Sequence, residues 1–431
     1  MKMRLFCFLL LFLAVGSLAS ELTMQEAYEL ALSNDARLQI ARYQLDATQA
    51  REDSTFARVL PRITAFGQFS QNEVRYDSNT LETREYDGTR YGMSLSQTLF
   101  NKPVFGQIKA AKERTGGVES RFQDEVQLLA VRTADAYLSV LAARKELQAF
   151  TDELFALEQQ GNQSKAMADR QLISLTELLE VNARRDLVKT RQINAENNLA
   201  RANEEFFLII GSRDHLPRVI PEPRVMAFPS ADIDLLVKDV LAANPKVVSL
   251  EAEQRAARAT IDSEWGTFFP NLDLVVNQQY SDVGFDNTTS PPRNTFYVGV
   301  NINWALVEGG AGRARLREAW ANYYSATEKL KLQRQELERD IRSIYSELKS
   351  SGQRIEAARQ SRDSASMSFS AAEKALQLGS GRTVDVLLSR SAVTRAELNL
   401  TSAYFDNYIS WLRLQYLTGE LSSSTFAALE E

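Results

Sequence analysis

Cysteine is nearly missing from this 431-residue chain: Cys7 is the only one. Beyond it no disulfide, thiolate nucleophile or thiolate metal site is open to the protein. Histidine is equally scarce. His215 stands alone in a turn-like Arg-Asp-His-Leu-Pro run and reads as a linker residue, which excludes His-rich metal sites and catalytic triads. Carboxylates are plentiful, but they recur at spacings of 3 and 4 among Lys and Arg, the pattern of solvated helix faces rather than of a paired acid and base. No enzyme activity and no cofactor are expected. Proline is absent from Val104 to Leu216 and again after Pro292. A proline inside a helix removes a backbone hydrogen bond and clashes with the preceding turn, so these stretches permit very long helices.

Long hydrophobic runs are missing too, apart from the first residues. Lys2 and Arg4 precede the apolar run Leu5 to Val15, and Ser17-Leu18-Ala19 offers a small-x-small cleavage pattern. This reads as a secretory signal peptide cut after Ala19. The run falls short of the ~20 residues a spanning helix needs, and no later stretch approaches that length, so no transmembrane helix is expected. Cys7 lies too deep in the run to become a lipidated N-terminus. Removing Lys2 and Arg4 takes the formal charge from −6 to −8. An acidic exported chain is a poor nucleic-acid binder.

What is present is periodicity. Steps of 4 and 3 from Phe122 give Val126, Leu129, Thr133, Ala136, Val140, Ala143, Leu147, Phe150, Leu154 and Leu157, apolar except for Thr133. A 3.5-residue repeat is a coiled-coil seam. A helix from Val104 to about Lys165 would be on the order of 90 Å long at 1.5 Å per residue, which suits a rod or part of a tube.

In chain order, Leu22 to about Arg58 reads as helix, ended by Pro61. Ile63, Ala65, Gly67 and Phe69 then alternate with Thr64, Phe66, Gln68 and Ser70 as in a strand. A polar loop is expected over Arg75 to Arg90, and a clearer strand carries Tyr91, Met93, Leu95, Gln97 and Leu99 on one face. Pro103 opens the long helix, a break falls between Gly161 and Ser174, and Thr176 to Ile210 is helical up to Gly211. Residues 212–230 hold Pro217, Pro221, Pro223 and Pro229 and read as a linker.

The pattern then repeats. Leu235 to Trp265 is helical, Pro270 ends it, and Leu272 to Tyr280 alternates. A polar loop is expected over Ser281 to Thr295, and Phe296, Val298, Val300, Ile302 and Trp304 alternate in turn. A second long helix starts near Gly310, with seam positions Leu330, Leu337, Ile341, Ile344, Leu348, Ile355 and Ala358. Gly379-Ser380-Gly381 turns the chain into a last helix, Val384 to Leu417. Tyr137 and Tyr345, Glu177 and Asp385, and Gly211 and Gly419 are each 208 residues apart, and Pro61 and Pro270 are 209 apart. The chain is a duplicated helix–strand–strand–helix–helix unit. Its expected segments are 1–19 signal peptide, 20–211 first repeat, 212–234 linker or equatorial segment, 235–419 second repeat and 420–431 tail.

Strands of roughly ten residues that alternate apolar with small or polar side chains suit one bilayer crossing in a closed barrel. Aromatic residues near their ends (Phe69, Tyr76, Tyr91, Phe268, Phe269, Tyr280, Phe296 and Trp304) would form an interfacial girdle. On the strands alone a soluble β-sandwich layer stays open. Four strands cannot close a barrel without unpaired edges in lipid, so several chains would have to share one. A wall with an apolar band at one end and a long polar-lined bore is a conduit. The alternative is a soluble periplasmic coiled-coil scaffold.

Leu378-Gly379-Ser380-Gly381-Arg382-Thr383-Val384-Asp385-Val386-Leu387 resembles the second inter-helix turn of the TolC family of outer-membrane efflux and secretion channels. Leu172 to Leu179 stands at the equivalent place in the first half. Further similarity lies in Phe207-Leu208-Ile209-Ile210-Gly211, Leu417-Thr418-Gly419, Leu60-Pro61, Phe269-Pro270 and Gln97-Thr98-Leu99-Phe100. The resemblance covers essentially the whole mature chain. It implies a mainly α fold with membrane β: a long coiled-coil α-barrel, with four strands per chain contributing to a shared 12-stranded transmembrane β-barrel. It implies a homotrimer in the outer membrane lipid, with its helical tunnel in the periplasm. That trimer would be the passive exit duct of a tripartite efflux pump or type I secretion system, docked to a periplasmic adaptor and an inner-membrane RND or ABC transporter. By position, Asp385 would lie at the periplasmic aperture, with Arg382 and Glu177 as a closing link. Leu172, Gly379 and Gly381 would mark the adaptor-docking turns, and Phe69, Tyr91, Tyr280, Phe296 and Trp304 the membrane interface. Leu388 stands where the family often has a second acidic residue, and the first turn, Met167 to Ser174, lacks the family's usual glycine.

Overall fold

The computed structural model describes residues 20–75, 83–220, 224–226, 232–284, 287–419, 421 and 425–426. The expected signal peptide, Tyr76, Pro221, Pro223, Pro229 and nearly all of the expected tail lie outside them. The chain forms β1 (Ser20–Leu22), α1 (Met24–Asn34), α2 (Ala36–Phe56), β2 (Arg62–Val74), β3 (Arg84–Phe100), α3 (Lys102–Ala168) and α4 (Leu175–Ile210). It continues through β4 (His215–Pro217), α5 (Ile233–Ala243), α6 (Pro245–Gly266), β5 (Asn271–Val283), β6 (Thr289–Asn303), α7 (Ala311–Gln377) and α8 (Thr383–Thr418). The halves match in length: α1 and α5 have 11 residues, α3 and α7 have 67, and α4 and α8 have 36. At 1.5 Å per residue α3 and α7 each run for about 100 Å.

Two single helices expected from the sequence are each broken in two. Asp35 is extended (ψ 117), closes α1 through its N–H to the Ala31 carbonyl, and caps α2 by accepting from the Leu38 N–H at 2.8 Å. Asn244 is extended in the same way (ψ 127), and Pro245 follows at the first position of α6, where its missing N–H costs nothing. Asp35 and Asn244 are 209 positions apart, so the break belongs to the repeat.

The strands also run longer than the roughly ten residues expected, at 13, 17, 13 and 15. The last seven residues of the loop expected over Arg75 to Arg90, Arg84 onward, are the start of β3, and most of the one over Ser281 to Thr295 is strand. The reason is that main-chain pairing needs no side-chain alternation, so a hairpin can continue past its apolar band with polar residues on both faces. Pro291 and Pro292 are carried within β6, beside the register shift between Ser281 and Val283 and on an edge strand, where a missing N–H is tolerated.

Two compact units cut across the sequence halves. One takes Met1–Ile40, Asp124–Asn244 and Leu337–Glu431; the other takes Ala41–Gln123 and Pro245–Glu336. In the first unit β1 and β4 pair in parallel, so His215 sits in a short strand rather than a turn. The buried Tyr137 hydroxyl donates to the Leu22 and Arg218 carbonyls. Asn407, fully buried in α8, accepts from the Met226 N–H at 2.7 Å and so holds the linker on the helix. The seam from Leu129 to Ala143 is buried. One stretch of α3 is long and apolar enough by composition to cross a membrane, contrary to the sequence expectation; most of it is buried within the chain, as in a core helix.

In the second unit β2, β3, β5 and β6 form one antiparallel sheet in that order, with β2 and β6 as its edges. Gly92 is required at its centre: a Cβ there would stand 2.3 Å from the Gln278 carbonyl oxygen.

Candidate functional site

The register of the sheet sorts its side chains into two unlike faces. On one, Ile63, Leu95, Val276 and Val298 stand in a cross-strand row, followed by Ala65, Met93, Gln278 and Phe296, then by Gly67, Tyr91, Tyr280 and Asn294. On the other, Thr64, Ser94, Asn277 and Tyr297 share a row, as do Phe66, Gly92, Gln279 and Thr295. Alternation along single strands therefore adds up to an apolar face and a polar face across all of them. The Thr98/Phe100 bulge returns Phe100 to the apolar face opposite Leu272.

The apolar face is exposed over most of its area: Phe69 is 82% accessible, and Ile63, Tyr91, Met93, Phe296, Val298, Val300, Ile302 and Trp304 are exposed as well. Tyr91 and Tyr280 stack at 4.9 Å. Trp304 lies at the strand end nearer the helices, its indole N–H donating to the Phe268 carbonyl at 3.1 Å. Nine positions separate Tyr91 from Phe100, which is ~30 Å of strand at ~3.3 Å per residue. Tilted by ~40°, that is ~23 Å of height, close to the ~25 Å apolar band of a membrane barrel.

The two inter-helix turns lie in the first unit and share one backbone geometry. After α7, Gly379 is left-handed (φ 76), its N–H bonds the Leu376 carbonyl, and the Ser380 N–H reaches the Ala375 carbonyl at 3.0 Å. After α3, Gln171 is left-handed (φ 60), its N–H bonds the Ala168 carbonyl, and the Leu172 N–H reaches the Met167 carbonyl at 2.9 Å. Both are Schellman closures. Gln171 and Gly379 are 208 positions apart, so the missing glycine of the first turn is replaced in kind by a strained glutamine. Gly381 packs on the end of α7, where a Cβ would meet the Leu376 nitrogen at 2.8 Å. Leu172, Leu175, Leu378 and Leu388 are exposed around the turns.

Of the residues singled out for the aperture, Asp385 is exposed in the first turn of α8, where the helix dipole favours a carboxylate. Arg382 is the exposed N-terminal cap residue and makes no side-chain cap bond. Glu177 accepts a hydrogen bond from the Thr383 hydroxyl, and its own N–H donates to Ser174 Oγ at 3.2 Å. The structure thus joins Glu177 to the residue after Arg382, across 206 positions of sequence. Thr383 stands inside the Arg-Thr pair of the turn motif, so its position was legible although its partner was not. Behind it Leu154, Leu157, Val181, Val188 and Leu387 form a buried cluster of α3, α4 and α8. Beside this cluster Arg184 reaches Glu153 at 3.4 Å, with Glu153 almost fully buried. No group of three or more potential metal ligands occurs among the described residues.

The sequence profile of the family described as "Outer membrane efflux protein" matches residues 27–212 and 236–420, one match for each half. The chain is 26% identical to the alkaline protease secretion protein AprF of Pseudomonas aeruginosa, covering 94% of this chain and 86% of that one. It is 26% identical to the outer membrane protein TolC of Vibrio cholerae, covering 95% and 94%. Among solved structures, the Campylobacter jejuni CmeC outer membrane channel superposes with a TM-score of 0.83 at 15% identity, over 94% of this chain and 89% of that one. The two-faced sheet, the paired long helices and the duplicated profile match converge: the chain belongs to the outer membrane efflux protein (TolC) family, and is an outer-membrane exit duct for efflux or type I secretion, with its helical tunnel in the periplasm.

Proposed function

We propose that a homotrimer of this chain closes one twelve-stranded barrel, with β6 of each protomer pairing with β2 of the next. The carrying observation is a four-stranded sheet with one apolar face and, among the described residues, both edges unpaired. In lipid such edges are intolerable, and a chain with two unlike edges satisfies both in a ring. Phe69, Tyr91, Tyr280 and Phe296 form the outer part of an aromatic girdle in the outer-membrane lipid, and Trp304 the inner part.

The turns at Leu172 and at Gly379 and Gly381 dock a periplasmic adaptor, with the exposed leucines around them as its apolar contacts. Similarity to a protease secretion protein favours an ABC-type pump and polypeptide cargo over an RND-type drug pump. Asp385 and Arg382 line the closed aperture, and the Glu177–Thr383 bond helps hold it shut. Asp385→Ala or Arg382→Ala is then expected to raise single-channel conductance in a planar bilayer. Unchanged conductance in both would remove the aperture role.

A further inference from the structure

The polar face of the sheet carries an uneven charge. Arg62, Arg84, Arg90 and Arg293 lie on it, whereas Asp273 is the carboxylate that shares it and is already bonded to Thr98 at 3.0 Å. Glu73, Glu85 and Asp87 fall on the opposite face, beyond the apolar band, and Asp282, at the bulge beside Ser281, is engaged by the Thr89 N–H at 2.6 Å. A single row concentrates the excess: Gln68, Arg90, Ser281 and Arg293 stand side by side across all four strands. It lies next to the Gly67–Tyr91–Tyr280–Asn294 row, at the level of the outer aromatics. Arg90 donates to the Gly284 carbonyl at 2.7 Å, and among the described residues its buried Nε has no partner. Arg293 is exposed. Among the described residues neither guanidinium has a carboxylate within 4.0 Å.

We propose that Arg90 and Arg293 set the charge preference of the duct, forming a cationic collar inside the barrel that favours passage of acidic polypeptide. This rests on the barrel reading above, which turns the polar face inward and repeats the row in every protomer. Unpaired guanidinium groups around a low-dielectric wall focus positive potential into the bore and concentrate anions there, as rings of Arg and Lys do in anion-conducting pores. Their fork geometry also suits the Asp and Glu carboxylates of a passing chain. The choice contrasts with the net acidic chain around it. Asp385 at the other end would act oppositely, so the collar is read from the difference between variants.

The test compares full-length wild type with Arg90→Gln/Arg293→Gln in planar bilayers under a KCl gradient. Near 0.01 M salt, where the Debye length is about 30 Å, the chloride-to-potassium permeability ratio should fall about two-fold or more in the variant. Near 1 M, with a Debye length of about 3 Å, the two should coincide. Arg90→Lys/Arg293→Lys should retain the wild-type ratio. Polyglutamate added on the side of the strand hairpins should block wild-type current and leave the glutamine variant open. If the double variant fails to insert, Arg293→Gln alone decides the matter, because that side chain is exposed. Equal ratios at low salt, or equal polyglutamate block, would overturn the collar while leaving the channel intact. No discrete conductance from the wild type would overturn the barrel reading itself.

Discussion

At the scale of single residues, the informative positions are those where chemistry and conformation disagree. Gln171 adopts the left-handed conformation that its counterpart Gly379 takes without strain. Gln171→Gly should therefore stabilise the first turn by about 1 kcal/mol, seen as slower hydrogen exchange of the Leu172 amide. Faster exchange would mean that the glutamine side chain holds the turn in some other way. The absence of a glycine there was legible, but its consequence was not. Only the backbone shows that the closure survives with a strained residue. Glu177 illustrates a second limit. Its place in the repeat opposite Asp385 could be read from spacing, while its bond to Thr383 depends on how α4 meets α8, which no local pattern encodes.

At the scale of elements, the long helices were read nearly to their ends because their signals are local. Gly211 and Gly419 close α4 and α8 with φ of 72° and 77°, a conformation glycine adopts without penalty. The seam of α3 and α7 follows from 3.5-residue spacing. What failed to read were the breaks at Asp35 and Asn244 and the outer thirds of the strands. Asp35 and Asn244 interrupt neither the apolar spacing nor the charge pattern, although Pro245 was a visible cue. The outer strand segments are polar on both faces and so look like loops.

The α3–α4 pair also holds an ion pair that periodicity hid. Glu153 is nearly fully buried and its partner Arg184 mostly so. Arg184→Ala should leave an uncompensated buried carboxylate and destabilise the helix pair by about 3 kcal/mol, whereas Glu153→Met/Arg184→Met should recover most of that loss. Thermal unfolding followed by circular dichroism checks both. An unaffected Arg184→Ala variant would show that the carboxylate finds water or protonates at no cost.

At the scale of the whole molecule, function follows from what one chain cannot finish. A sheet with one apolar face and, among the described residues, two open edges is unstable alone in lipid, and the proposed ring of identical copies would complete it with surfaces already present. Duplication serves the same end, since each half supplies one hairpin and one long helix pair, so the wall is built from near-equivalent staves. With Cys7 as its one cysteine the chain can form no internal disulfide, and among the described residues no group of three or more potential metal ligands occurs, so strand pairing and side-chain packing carry this arrangement. The most direct test is conductance of the detergent-purified protein across a planar lipid bilayer. Discrete, uniform steps from an oligomer that heat dissociates are expected. A monomer that stays soluble without detergent and produces no steps would contradict the shared barrel and leave a coiled-coil scaffold in its place.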